Sequence, residues 1–503
     1  MGHLHVNIPC QQVYIMIGKV SVWLRVEAKC TIYLLKEEYE TVPEQNVAEP
    51  AKWGVQDEPL LVYNNDNPRQ KQEGMQLNLY HVKGLDSSQT STSPFSFSDM
   101  ITKDEERVRF LHSRLTNKES VRNSATTDKL RGGPSLVSTT PLKSGLSIGS
   151  GNYYVKIGLG TPAKYFSMIV DTGSSLSWLQ CQPCVIYCHV QVDPIFTPST
   201  SKTYKALPCS SSQCSSLKSS TLNAPGCSNA TGACVYKASY GDTSFSIGYL
   251  SQDVLTLTPS EAPSSGFVYG CGQDNQGLFG RSSGIIGLAN DKISMLGQLS
   301  KKYGNAFSYC LPSSFSAPNS SSLSGFLSIG ASSLTSSPYK FTPLVKNQKI
   351  PSLYFLDLTT ITVAGKPLGV SASSYNVPTI IDSGTVITRL PVAVYNALKK
   401  SFVLIMSKKY AQAPGFSILD TCFKGSVKEM STVPEIQIIF RGGAGLELKA
   451  HNSLVEIEKG TTCLAIAASS NPISIIGNYQ QQTFKVAYDV ANFKIGFAPG
   501  GCQ

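Results

Sequence analysis

The sequence predicts an all-β protein made of two related halves, and three observations carry that prediction. Only 15% of the 503 residues are charged, while Ser, Thr and Gly are abundant and turn signals punctuate short alternating runs, a pattern that favours strands over helices. An acid-centred stretch occurs twice: Ile169-Val170-Asp171-Thr172-Gly173-Ser174, then about 210 residues later Ile380-Ile381-Asp382-Ser383-Gly384-Thr385. Each copy is followed, about 100 residues on, by an apolar-apolar-Gly stretch, Ile285-Ile286-Gly287 and Ile475-Ile476-Gly477. One tetrad such as Asp-Thr-Gly-Ser is ordinary turn vocabulary. Two copies in matching surroundings signal a duplicated domain.

Taken in order, residues 1 to about 50 are the least legible. The apolar patch Val13 to Trp23 could serve as the core of a leader, but it contains Lys19 and no small-residue cleavage site follows, so a signal peptide is not evident. From Leu77 the run LNLYHVKGLD alternates like a strand, and a Ser-rich linker spans Ser87 to Ser98. Asp99 to Arg122 is charged and helix-like, with Arg107, Arg109 and Arg114 grouped. A basic segment ahead of an acid-centred domain can occupy that domain's cleft and pair with its carboxylates, so residues 1–140 are read as an atypical N-terminal region and propeptide; the alternative is a disordered extension. The polar connection from Thr116 to Gly151 is the expected processing zone.

The two halves are expected at 141–335 and 336–503. In the first, YYVKIGLGTPAKYFSMIV reads as two strands joined by a Gly-Thr-Pro turn that deliver the chain to Asp171, and VYKASYGDTSFSIGYLSQDVLTL reads as a hairpin turning near Gly241-Asp242, with Tyr240 at its shoulder. In the second, strands around Tyr354 to Val363 precede Asp382, and a helix is expected from Pro391 to about Lys409.

Cys10 and Cys30 lie near the N-terminus; the other twelve cysteines fall between Cys181 and Cys502, an even number. In a Ser/Thr-rich β protein this density indicates disulfides and an oxidising compartment. A zinc reading would rest on Cys181, Cys184, Cys188 and His189, but no second spaced pair completes a ligand set. The sequons at Asn229 and Asn319 are glycan acceptors, consistent with secretion. No run of 18 or more apolar residues is present, so no membrane span is expected, and the end at Gly501-Cys502-Gln503 lacks a lipid-anchor tail. The net charge is +10, with the first 140 residues near neutral and the rest about +11. Lys399, Lys400, Lys408 and Lys409 bracket an apolar run. With few Arg and no interleaved aromatics, they read as a solvated helix face rather than a nucleic-acid site.

If the halves pack about a pseudo-twofold axis, Asp171 and Asp382 meet across it. Two adjacent carboxylates cannot both ionise, so the pair holds one proton and titrates as a unit. It can deprotonate a water with one member and protonate an amide carbonyl with the other, hydrolysing the bond without a covalent intermediate. Ser174 and Thr385 would bond the outer carboxylate oxygens, and Gly173 and Gly384 would let backbone N–H groups approach the inner ones. Gly280-Arg281-Ser282-Ser283-Gly284 also matches a serine-nucleophile pattern, yet it lacks the strand-turn-helix setting, and His189 and His451 are the main-body candidates for its base.

These residues together resemble the pepsin-like aspartic proteases, specifically the plant nepenthesin-like branch, over about Gly151 to Gln503. The resemblance implies a bilobal β fold whose cleft binds an extended peptide, with Asp171 and Asp382 as the catalytic pair supported by Thr172, Gly173, Ser174, Ser383, Gly384 and Thr385. It implies that Tyr240, with Gly241 and Asp242, belongs to a flap closing over substrate, and that the Trp178 indole can hold the tyrosine. Thr243 stands where the family often has Gly. The cysteine order is similar to the branch pattern and implies Cys181–Cys184, Cys188–Cys271, Cys209–Cys234, Cys214–Cys227, Cys310–Cys502 and Cys422–Cys463. The family's habits imply a monomer acting on protein or peptide substrates with no cofactor or metal, secreted to the apoplast or vacuole, or alternatively placed in the plastid. Two other readings accompany the leading one of an acid endopeptidase made as a zymogen. One is a catalytically silent binding protein of the glycanase-inhibitor kind; the other is a DNA-associated protease, motivated by the basic main body.

Overall fold

The structure, a computed structural model, describes residues 14–17, 20–23, 97–116, 138–144, 151–240, 244–277, 279–313, 325–335, 337–500 and Cys502. Cys10, Cys30, the run from Leu77, Gly241, Asp242, Thr243 and Asn319 lie outside the described residues. Two compact units divide the chain, residues 1–73 and 74–503. In the first, Tyr14–Ile17 and Val20–Trp23 pair antiparallel.

The second unit carries the pepsin-like fold, bilobal and rich in β structure. Tyr153–Leu159 and Lys164–Asp171 form the hairpin predicted around Gly-Thr-Pro, with Leu159 opposite Lys164. Asp171 is the last residue of that hairpin. The Ile-Ile-Gly repeat explains why it stays in place. Gly284–Gly287 lies parallel to the incoming strand, with Ile285 beside Ile169, Ile286 beside Val170 and Gly287 beside Asp171. In the second half, Ser474–Ile476 lies parallel to Thr379–Ile381, with Ile475 beside Ile380 and Ile476 beside Ile381. Each acid therefore leaves a strand clamped by a buried apolar neighbour. Gly477 is required there because a Cβ would come within 2.5 Å of the Val386 carbonyl oxygen.

A large sheet joins Lys164–Asp171 through Tyr153–Leu159 and Ser138–Ser144 to Gly325–Ile329, Ala306–Cys310 and the C-terminal hairpin Lys485–Asp489/Lys494–Ala498. A five-stranded sheet and two four-stranded sheets build the rest of the second half. The helix expected after Pro391 runs Val392–Met406 and buries Val394, Tyr395, Leu398, Phe402 and Met406, the 3.6-residue stripe of an amphipathic helix. Lys399 on it pairs with Asp420 at 2.8 Å, and Lys400, Lys408 and Lys409 are exposed.

All twelve main-body cysteines are paired, but four of the six expected pairings are corrected. Cys310–Cys502 and Cys422–Cys463 join as the resemblance implies; the others are Cys181–Cys271, Cys184–Cys188, Cys209–Cys227 and Cys214–Cys234. Burial sorts them. Cys181, Cys271, Cys214 and Cys234 are buried and pair with one another, while Cys184, Cys188, Cys209 and Cys227 lie nearer solvent and do likewise. The local reason is strand register: Gly270-Cys271-Gly272 runs parallel to Trp178-Leu179-Gln180. That brings Cys181, one residue further on, beside Cys271. Cys227 and Cys234 sit opposite each other in register, yet Cys234 faces inward to the helix Ser212–Thr221 that carries Cys214.

Candidate active site

The helix Phe97–Thr116 lies within the second unit. Its buried residues Met100, Ile101, Asp104, Val108 and Leu111 follow helical spacing along one face. Met100 and Ile101 pack with Val386, Ile387, Val455 and Tyr479. Val108 and Leu111 pack with Ile350, Leu353, Phe355 and Ile475. Fully burying each such side chain contributes roughly 1.5–3 kcal/mol. The helix is thereby held against the C-terminal half.

Arg107 projects from the same face onto both acids. Its Nη2 donates to Asp171 Oδ1 at 2.6 Å and to Asp382 Oδ1 at 3.0 Å, and its Nε donates to Asp382 Oδ2 at 2.8 Å. Both carboxylates are buried, Asp171 at 1% and Asp382 at 0% exposure. Burial alone would lower the Arg107 pKa, but the charges and hydrogen bonds of the two aspartates reverse this and raise it. Burial would raise that of Asp382; the Arg107 charge, together with hydrogen bonds from Arg107, Thr385 and Gly384, holds it below the ordinary carboxylate value. Arg114, two turns on, donates to the Gly173 carbonyl and the Ser352 hydroxyl, both at 3.3 Å. Burial and the neighbouring Arg107 charge push it down to about 10. Arg109 is exposed.

The supporting residues are arranged symmetrically around the acids. Gly173 N–H donates to Asp171 Oδ1 at 3.0 Å and Gly384 N–H to Asp382 Oδ1 at 3.2 Å. A Cβ on Gly173 would lie 2.8 Å from Asp382 Oδ1, so the glycine admits the opposite acid. The Thr172 N–H donates to the Ser383 hydroxyl at 3.1 Å, and the Ser383 N–H donates to the Thr172 hydroxyl at 2.9 Å. The Thr385 hydroxyl donates to Asp382 Oδ2 at 2.6 Å, as expected for an outer oxygen. Ser174 departs from that expectation: its buried hydroxyl has no hydrogen-bond partner among the described residues. The Asp171 oxygens are engaged instead by Gly173 N–H and by Arg107.

Tyr240 follows the strand Cys234–Ser239, which pairs with Phe245–Thr256 so that Ser239 faces Phe245. Trp178 Nε1 donates to the Tyr240 hydroxyl at 2.6 Å, and Phe279 stands edge-on to both rings. Burial, with the Asp171 charge adding to it, pushes the Tyr240 hydroxyl well above its usual pKa. Asn229 is exposed in a turn.

The competing catalytic pattern has a different use. The Ser282 hydroxyl donates to the Phe279 carbonyl at 2.8 Å, and His189 Nε2 meets the Ser282 carbonyl, not its hydroxyl, at 2.8 Å. The segment is a buried turn leading into the Gly284–Gly287 strand.

Sequence reasoning missed three residues at the site. Asp104 on the helix accepts the N–H groups of Val386 at 2.5 Å and Ile387 at 3.0 Å, and it contacts Arg389 at 3.0 Å, as does Glu105 at 3.2 Å. The available signal was Arg389 itself, the one basic residue in an otherwise apolar and hydroxyl-bearing run after Asp382.

The Xylanase inhibitor N-terminal family model matches residues 153–331 and the Xylanase inhibitor C-terminal model residues 353–499. An aspartyl protease family protein of Arabidopsis thaliana is 42% identical over 446 residues, 87% of this chain and 89% of that protein. The aspartic proteinase nepenthesin-2 of Nepenthes gracilis is 36% identical over 377 residues, 73% of this chain and 82% of its own length. Among solved structures, basic 7S globulin from soybean shares the fold with a TM-score of 0.57 at 20% identity, covering 73% of this chain and 98% of that one. With two acid tetrads at the ends of two clamped strands, and with relatives of this similarity over most of its length, the chain belongs to the plant pepsin-like aspartic proteases, in their nepenthesin-like branch.

Proposed function

We propose that the chain is the zymogen of an aspartic endopeptidase, with Asp171 and Asp382 as its catalytic pair and the helix Phe97–Thr116 as its inhibitory prosegment. The observation that carries this reading is Arg107: one guanidinium engages both carboxylates in a site whose hydroxyl and N–H supports, Ser174 apart, are assembled. An amide substrate cannot reach acids occupied in this way.

Withdrawal of the helix leaves two carboxylates with no cation between them, and the pair then keeps one proton. The ionised member removes a proton from a water lying between the two, and that water attacks the scissile carbonyl. The protonated member donates to the carbonyl oxygen, and the proton just acquired passes to the leaving amine. The donors from Gly173, Gly384 and Thr385 keep the carboxylates oriented through these steps. Tyr240, held by Trp178, would close over the peptide and exclude water.

Processing is expected between 117 and 137. Ser138–Ser144 sits in the sheet between Gly325–Ile329 and Tyr153–Leu159, so a cut after it would strip a strand and expose two edges. The first lobe is taken to begin with that strand at Ser138 rather than at the expected 141, so the lobes are 138–335 and 336–503, acting as a monomer. Six disulfides, an exposed sequon at Asn229 and a leading assignment to the apoplast or vacuole form one consistent picture of a secreted glycoprotein. Among the described residues no helix is long and apolar enough to cross a membrane.

A second reading, a silent binding protein, is favoured by the descriptions of the matching family models. Against it stand both acids, the hydroxyls of Thr172, Ser383 and Thr385 in working contacts, and the Trp178–Tyr240 bond. The deciding experiment is hydrolysis of a denatured protein between pH 3 and 7 by the disulfide-intact, processed chain beside its Asp171→Asn variant. Acid-optimal cleavage that vanishes in the variant, and with a statine-type inhibitor, supports the endopeptidase. No cleavage by either, with the helix confirmed removed, overturns it.

A further inference from the structure

Arg389 is buried at 0% exposure, yet its acidic partners both belong to the helix. Nη2 lies 3.0 Å from Asp104 Oδ2 and 3.2 Å from Glu105 Oε2. Nε reaches Glu105 at 3.3 Å. Within its own lobe the guanidinium donates to the Ile387 carbonyl at 2.8 Å, and among the described residues no carboxylate outside the helix pairs with it. Beside it, the N–H groups of Val386 and Ile387 both point at the Asp104 carboxylate. Two backbone donors and a guanidinium thus converge on one buried carboxylate, in the segment that begins directly after Thr385.

The helix is the part of the molecule that must leave for the enzyme to work. Its departure strips Arg389 of both counter-charges and frees two N–H donors at once. The guanidinium so uncovered has no carboxylate partner in its own lobe among the described residues, and the converging donors suit an acidic group that restores what Asp104 supplied. The groove vacated by the helix is the groove that the peptide enters.

We propose that Val386 N–H, Ile387 N–H and Arg389 form a substrate subsite for an acidic side chain, and that Asp104 occupies it in the zymogen as a stand-in for the substrate's own Asp or Glu. The proposal rests on the endopeptidase reading given above. Its position follows from the helix: Asp104 precedes Arg107, which sits on the acids, by three residues, roughly 4.5 Å of helical rise. An extended chain covers about 3.3 Å per residue, so the acidic residue falls within about two residues of the scissile bond. The enzyme accordingly selects peptides by charge as well as by apolar contact.

The test uses the processed, disulfide-intact enzyme and fluorogenic peptides identical except for Asp or Asn at each of the two residues on either side of the scissile bond. At pH 5, where a substrate Asp is ionised, one position should show a kcat/KM at least tenfold higher for Asp than for Asn. That preference should collapse in Arg389→Gln and survive in part in Arg389→Lys. A structural role for Arg389 would change rates without changing the Asp/Asn ratio. In parallel, a synthetic peptide of residues 97–116 should bind the processed chain at least tenfold more tightly than its Asp104→Asn version, a comparison that needs no folded Arg389 variant. Cleavage of neutral peptides with an Asp/Asn ratio near one at every position overturns the subsite and leaves the endopeptidase standing, even if the 97–116 peptide depends on Asp104. Loss of all cleavage by the wild-type enzyme overturns both.

Discussion

Thr172 and Ser383 hold each other by reciprocal hydrogen bonds, each backbone N–H donating to the other's hydroxyl at 3.1 and 2.9 Å. Ser383 also donates to the Val170 carbonyl at 3.0 Å. One residue after the start of each tetrad, the two halves are thus tied to each other at the level of the acids. Removing one hydroxyl leaves a buried N–H unpaired, which costs about 1–3 kcal/mol. Thr172→Ala and Ser383→Ala should each lower the denaturation midpoint accordingly. The double variant should cost less than the sum by about 0.5–3 kcal/mol, as residues sharing one network do. Additive losses in chemical denaturation would refute the coupling.

Arg107 should control latency. Arg107→Met keeps most of the stem but leaves two buried carboxylates without their cation, a change of the kind that costs about 3–5 kcal/mol. The variant should therefore hold its helix weakly at neutral pH and bind a statine-type inhibitor before any processing, whereas the wild-type precursor should not. Arg109→Met, on the exposed side, should leave latency unchanged. Inhibitor titration of the unprocessed proteins checks both.

Acid should release the helix, and the sign follows from Asp382. Its docked pKa is held below the ordinary 3.8, because the Arg107 charge and the hydrogen bonds outweigh burial. The helix-free pair holds a proton, so the contribution to docking is complete only above that pair's own titration and is lost as pH falls toward the lower docked value. Asp104 works in the opposite sense. Burial raises its pKa despite Arg389 and the Val386 and Ile387 N–H groups, so its protonation is easier docked than free and opposes release. Asp104→Asn removes that opposition together with an ion pair, and should move the release midpoint to higher pH. Inhibitor accessibility measured across pH 2 to 7 reads the midpoint directly.

Tyr240→Phe deletes one hydrogen bond, from Trp178 Nε1, while keeping the ring against Phe279. The net worth of such a bond is about 0.5–1.5 kcal/mol. A twofold to tenfold loss of kcat/KM is expected, with stability almost unaffected. A loss of two orders of magnitude would show that the hydroxyl does more than position the flap.

Non-reducing peptide mapping should recover Cys181 with Cys271, Cys184 with Cys188, Cys209 with Cys227 and Cys214 with Cys234. Removing Cys310–Cys502, which closes a separation of 192 residues, should destabilise the chain by about 2–5 kcal/mol.

The sequence by itself determined the β class, the duplication and the two acids, because these are written as repeats: the tetrad, the hydroxyl after each glycine, and an Ile-Ile-Gly run that can only be a buried strand. It also determined that Arg107 belongs to a basic segment able to reach carboxylates. What the tertiary structure decided depends on pairs of residues brought together from distant points. Cysteine order suggested sequential and nested partners, but the pairing follows burial and strand register, neither of which is visible in spacing, and Cys209–Cys227 crosses Cys214–Cys234. The Ser174 hydroxyl was expected on Asp171, but that carboxylate is engaged by Gly173 and by Arg107, which comes from 64 residues upstream. Asp104 is unremarkable as sequence, and Arg389 stands out only as a lone basic residue; only packing of the helix onto the segment after Thr385 makes a buried charge of one the partner of the other.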